Sequence, residues 1–178
     1  MTTEQTGRVN QKERTRAAIV DATRDLMRAG GEITMPSVAQ AARVSEATAY
    51  RYFPDLVSLL REAVDTGWPT PAEAFAPLAD VDDPVRRVAH ATEFLLRRTQ
   101  DRQGAVRAMI AASIGKPPKV SPRPGHRFGL IDEALAPVAD RIHPAALAQL
   151  RRDLAIVVSA EALFTLTDLC GLDPDTAI

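Results

Sequence analysis

Residues 34–53, TMPSVAQAARVSEATAYRYF, decide how the chain reads. Thr34 offers a hydroxyl where a helix N-cap is wanted, and Pro36 falls in the first turn, where a missing N–H costs nothing. A short helix over about 35–42 follows. Ser45 then caps a second short helix running to about Tyr52, with Glu46 in its electropositive first turn. Two brief capped helices joined by a tight turn are what a bihelical DNA reader requires, since the second must enter a major groove roughly 12 Å wide. Val38, Ala39, Ala42, Val44, Ala49 and Phe53 supply a small inward core, and Ala39 and Ala42 let the helices approach closely. Glu46, Ala47, Thr48, Tyr50 and Arg51 point outward and suit base edges and phosphates.

The flanks extend this frame. Lys12 to Ala29 reads as a helix with Ile19, Ala22, Leu26 and Ala29 on one face, stopped by Gly30-Gly31, and residues 1–10 read as a loose tail. After Phe53-Pro54, Asp55 caps a fourth helix whose Leu56, Leu59, Leu60, Ala63 and Val64 form a stripe ending near Gly67. A Pro- and Asp-rich stretch over 68–83 holds a short helix at about 72–78. Helical segments are then expected at about 84–102, 104–114, 126–139 and 144–170. Between them, residues 115–127, GKPPKVSPRPGHR, carry four prolines and four Lys or Arg and read as a solvated loop. No alternating pattern competes, so the chain is expected to be all-α.

Composition fits a globular helical protein: 46% apolar, 25% charged and only 4% aromatic residues. The net charge of −1 gives no global nucleic-acid signature, but it is unevenly spread. From Arg8 to Tyr52 eight basic residues face five acidic ones, a local +3 that leaves −4 for the rest. A basic head on an acidic body suits a protein whose head alone meets phosphate. Cys170 is the single cysteine, and His90, His126 and His143 lack metal-ligand spacing, so no disulfide, metal or cofactor is expected. The polar N-terminus is unlike a signal peptide, and Glu161 and Asp168 interrupt the most apolar stretch, 154–171. A cytoplasmic protein without a membrane span is therefore expected. With no Gly-rich phosphate loop, nucleophile elbow or HExxH, an enzyme is not.

The pattern over residues 12–66 resembles the tetracycline-repressor (TetR) family of bacterial regulators. Its bearers are Thr34, Val38-Ala39, Ala42, Val44-Ser45, Thr48, Tyr50, Tyr52-Phe53 and Leu59-Leu60, preceded by KERTRAAIVDATRDLMRAGG. The resemblance covers about a third of the chain. It implies phosphate contacts from Thr34, Tyr50 and Tyr52, and base or sugar contacts from Ser45, Glu46, Ala47 and Thr48, with Arg51 reaching a guanine or a phosphate. Two positions depart from the family pattern. Arg43 stands at the turn position usually held by Gly, where a left-handed conformation costs on the order of 1 kcal/mol and phosphate contact is the return. Leu56 replaces a common phosphate-binding Lys, which should flatten the salt dependence of binding by about one unit.

The resemblance further implies a three-helix helix-turn-helix head (residues 1–54) and a helical ligand-binding and dimerisation body (residues 55–178). Its partners would be a palindromic operator in double-stranded DNA, a second copy of the chain, and a small-molecule effector that releases a repressor. The segment LAIVVSAEALFTLTDLCGLDP is apolar around most of its circumference and looks like the family's dimerisation helix, after which members normally carry one more helix. Trp68, His90, Phe94, Met109, Phe128 and Phe164 are the large side chains that the family's arrangement would bring near a ligand. Glu161, lying between apolar turns, would need a partner if buried. The rival reading is a helical dimerisation or interaction module that keeps the helix-turn-helix only as packing, favoured by Leu56 and the near-neutral charge.

Overall fold

A computed structural model describes residues 3–30, 33–65, 68–114 and 125–178, with side chains described from Asn10 onward except that of Ala112. The α-helices are α1 Thr3–Ala29, α2 Met35–Ala41, α3 Glu46–Tyr52, α4 Leu56–Asp65, α5 Pro71–Phe75, α6 Pro84–Asp101, α7 Gln103–Ser113, α8 His126–Leu135, α9 Pro144–Val157, α10 Ala160–Phe164 and α11 Pro174–Ala177. Short 3₁₀ turns follow α5 and α8, and a π turn, Thr165–Leu169, follows α10. There is no strand among the described residues, and the fold class is all-α. None of the described helices is long and apolar enough to cross a membrane. Most of the proline-rich stretch, residues 115–124, lies outside the described residues; His126 and Arg127 open α8.

The chain divides into two compact units, Met1–Trp68 with Arg102–Pro124, and Pro69–Asp101 with Gly125–Ile178. This differs from a division after residue 54. The stripe on α4 is apolar over a wide arc, and α1 and α7 both pack against it. Ile19 and Val20 of α1, Leu59, Leu60 and Ala63 of α4, and Ala105 and Met109 of α7 therefore share one core with Val38, Ala39, Ala49 and Phe53. The helix α1 also starts earlier than expected, at Thr3. Apolar periodicity reports only the stretch that packs, and turns without it rely on helix formers such as Gln, Lys, Glu and Arg.

In the second unit α6 packs along α8, and α5 closes on α8. That last approach is close. A Cβ on Gly129 would stand 2.9 Å from the Pro71 ring, so glycine is needed for space. A capping box opens α5: Thr70 Oγ1 accepts from the Glu73 N–H, and the Thr70 N–H and hydroxyl both donate to the Glu73 carboxylate. Those two bonds hold the Glu73 carboxyl below its ordinary pKa. Arg87 is the buried charge of this unit, only 5% exposed. Its Nη1 donates to the Leu78 and Val81 carbonyls at 3.1 and 3.2 Å, and its Nη2 to the Glu133 carbonyl at 2.7 Å. The guanidinium lies 4.7 Å from the centre of the Phe75 ring. One side chain thus ties α6, α8 and the turn after α5 together.

The C-terminal segment is not one helix. α9 ends at Val157, Ser159 is extended (φ −154°, ψ 150°), and α10 starts afresh at Ala160. The break has two local causes. Ile156, Val157 and Val158 are consecutive β-branched residues, which lower helix propensity. Ser159 is a capable N-cap, and its hydroxyl accepts the Ala162 N–H at 3.0 Å while donating to the Ile156 carbonyl at 2.6 Å. Glu161 has the partner it needs: Arg127 Nη2 donates to it at 2.9 Å. After Gly171, in the left-handed region at φ 68°, Asp173 caps the four-residue α11, whose Ala177 is buried with Leu96 and Leu163.

Candidate nucleic-acid interface

The two short helices are held by their own ends. Thr34 Oγ1 accepts the Ser37 N–H at 3.2 Å, and Ser37 Oγ accepts the Thr34 N–H at 3.0 Å, forming a reciprocal capping box on α2. The turn adopts the left-handed step required of it: Arg43 has φ 55°, and no other described non-glycine residue has positive φ. Its N–H donates to the Gln40 carbonyl and that of Val44 to the Ala39 carbonyl, satisfying the last carbonyls of α2. Ser45 Oγ accepts the Thr48 N–H at 3.1 Å, capping α3. The Ser45 and Thr48 hydroxyls also lie 2.9 Å apart. If Ser45 is the donor there, the Thr48 O–H is left to donate elsewhere.

Burial sorts the residues of α3 by face. Ala49 is fully buried and Phe53 is 1% exposed, while Ser45, Glu46, Ala47, Tyr50 and Arg51 are exposed. Thr34, Thr48 and Tyr52 are half-buried, and Tyr52 packs against the core of the first unit. Arg51 stays beside it, with its guanidinium 5.6 Å from the Tyr52 ring centre. Of the residues expected to face outward, Glu46, Ala47, Tyr50 and Arg51 are exposed and Thr48 is half-buried, while Tyr52 divides itself between packing and surface.

Arg16 is a residue whose role the sequence pattern misses. Its Nε donates to Glu62 Oε1 at 2.9 Å, its Nη2 donates to Glu62 Oε2, and its Nη1 donates to the Tyr52 carbonyl at 3.3 Å. Its guanidinium also covers the Phe53 ring, 4.4 Å from the centre. It clips α1 to α4 and to the C-terminal end of α3, positioning the exposed helix. Arg24 and Arg28 are likewise paired, with Asp21 and Asp25. Among the described side chains from Asn10 to Phe53, the cations left without an ion pair are Lys12, Arg14, Arg43 and Arg51. Two grooves collect three of them. One, of about 380 Å³, is lined by Gln11, Lys12, Arg51 and Tyr52. The other, of about 500 Å³, runs between α1 and the turn and is lined by Arg14 with Asn10, Gln11, Thr15, Ala18, Ala42 and Val44. Chemically this surface offers unpaired cations, hydroxyls and a phenol to a polyanion.

Arg43 invites a direct measurement. Replacing it by glycine should raise stability by about 0.5–1 kcal/mol, because the left-handed strain disappears. The urea unfolding midpoint checks this, and a lower midpoint for Arg43→Gly would mean that the arginine side chain outweighs its backbone cost.

The six large residues considered for a ligand are divided between the two units. Met109 is 7% exposed in the core of the first unit, and Trp68 packs against that same core, because α7 belongs with α4. The other four lie in the second unit. His90 Nε2 is 2.8 Å from the Ala74 carbonyl, and its ring sits between Phe75 and Phe94. Phe128 carries the Arg151 guanidinium over its ring at 4.5 Å, and Phe164 packs against the Leu96–Leu163–Ala177 cluster. A groove of about 640 Å³ in this unit is lined instead by Asp132, Leu135, Ala139, Asp140, Ile142, Pro144, Leu147, Ala148 and Arg151. No cluster of His, Cys, Asp and Glu among the described residues could hold a metal ion. No protein-family model and no curated protein sequence matches the chain.

Proposed function

We propose that this chain is a sequence-specific DNA-binding transcriptional regulator, acting as a homodimer on a palindromic operator and released as a repressor by a small-molecule effector. The observation that carries the reading is the two-faced α3. Ala49 and Phe53 anchor it in the core, while Glu46, Ala47, Tyr50 and Arg51 stand exposed beside unpaired cations. A helix held this way can lie in a major groove with its outward side chains on base edges and the flanking cations on phosphates. Dimer formation is supported by α9, which has no fully buried residue, and by the exposure of Ile156, Val157 and Leu169 at 74, 57 and 82%. A two-fold dimer sets its heads about 34–36 Å apart on one side of the duplex.

A gel shift against the DNA flanking the protein's own gene tests the reading. Binding should weaken steeply with salt, and Thr48→Ala and Tyr50→Phe should each weaken it about tenfold, Thr48→Ala through a lost contact to a base or sugar and Tyr50→Phe through a lost hydrogen bond to a charged phosphate. If no duplex competes better than random DNA at low salt, the regulator reading fails. Effector control predicts by linkage that operator DNA lowers effector affinity by the same factor that effector lowers operator affinity.

A further inference from the structure

Two of the head's cations without an ion pair stand together at one concavity. The groove lined by Gln11, Lys12, Arg51 and Tyr52 contains two cations, an amide and a phenol, and no acid. Lys12 stands one turn before Arg16 on the same face of α1. Arg16 in turn bonds the Tyr52 carbonyl, so the two walls of the groove are fixed to each other at its end. Arg16 cannot itself serve an anion, because Glu62 neutralises it with two parallel bonds. Lys12 has no such partner and is exposed, and Arg51 makes no ion pair. Two positive charges at a preformed concavity, each still needing a counter-charge, suit a singly charged tetrahedral oxyanion.

We propose that this groove seats one phosphodiester of the DNA backbone per head, held between Lys12 of α1 and Arg51 of α3. The inference rests on the DNA-binding reading and adds a site on α1, a helix outside the helix-turn-helix. Phosphate contacts position a protein without reading sequence, so loss of Lys12 should weaken operator and random duplex by the same factor.

The test is a salt series on full-length protein, wild type beside Lys12→Gln and Lys12→Arg, with operator and random-sequence duplexes. For Lys12→Gln the slope of log affinity against log salt should flatten by about 0.9 per head, with operator preference and thermal midpoint unchanged. Lys12→Arg should restore the slope, which a merely structural role of the aliphatic stem would not require. A wild-type slope in Lys12→Gln, while wild type binds DNA, overturns the groove and leaves the regulator reading standing. Absence of duplex binding by wild type removes both. If inorganic phosphate raises the thermal midpoint of wild type but not of Lys12→Gln, and the DNA slopes are equal, the groove holds free phosphate and the proposal is wrong.

Discussion

Arg87→Ala should lower the thermal unfolding midpoint by roughly 10 °C, corresponding to a loss of about 3–5 kcal/mol. The guanidinium is almost wholly buried and serves three backbone carbonyls, those of Leu78, Val81 and Glu133. Hydrogen bonds from a charged donor contribute about 1.5–3 kcal/mol each, and they are not additive here because one side chain makes them all. The ion pair with Glu133 is a smaller part, since that contact is 3.4 Å and Glu133 is 36% exposed. Arg87→Met separates the causes. It keeps the bulk against Phe75 and loses every donor, so it should recover little. A methionine variant as stable as wild type would show that Arg87 acts by filling space.

Phe53→Ala should cost about 3–5 kcal/mol, the usual range for emptying a buried aromatic site. It removes the largest fully buried side chain, the residue that ends α3 and carries Arg16 on its ring. Urea unfolding followed by circular dichroism measures the loss, and Phe53→Leu should retain more than half of the stability. If the chain binds DNA, Phe53→Ala should abolish binding at 37 °C although the side chain faces the core. Because that effect runs through folding, cooling to 10 °C or adding sucrose should bring part of the binding back. Binding that stays lost under fully folded conditions would make Phe53 a determinant of local helix position as well as of stability.

Much of the first unit is legible in the sequence because its signals are local. Thr34, Ser45 and Asp55 cap the helices they precede, and Asp55 Oδ1 accepts the Ser58 N–H at 2.7 Å. Gly30 and Arg43 take the left-handed steps that end α1 and α2. The inward set on α2 and α3 is equally local, as small apolar residues at helical spacing have one face to bury. What escaped the reading depends on distant partners or on competition. That α7 belongs with α4 follows from packing over more than forty residues of chain, which no period encodes. Arg16 looks like one more surface cation until Glu62 and the Tyr52 carbonyl are brought beside it. The break at Ser159 lies within a stretch whose apolar pattern runs on either side of it, and there a cap and three β-branched residues outweigh periodicity.

The placement of α7 bears on how the chain comes off the ribosome. The first four helices are finished by residue 65, yet the surface of α4 that meets Ala105 and Met109 has no cover until the chain has passed through the second unit and returned. At about 5–20 residues per second, that wait lasts a few seconds. During it a nascent head presents bare leucine and valine to whatever is near. The head is therefore a late-closing module, one that a genetic fusion ending at residue 68 would deliver without its lid.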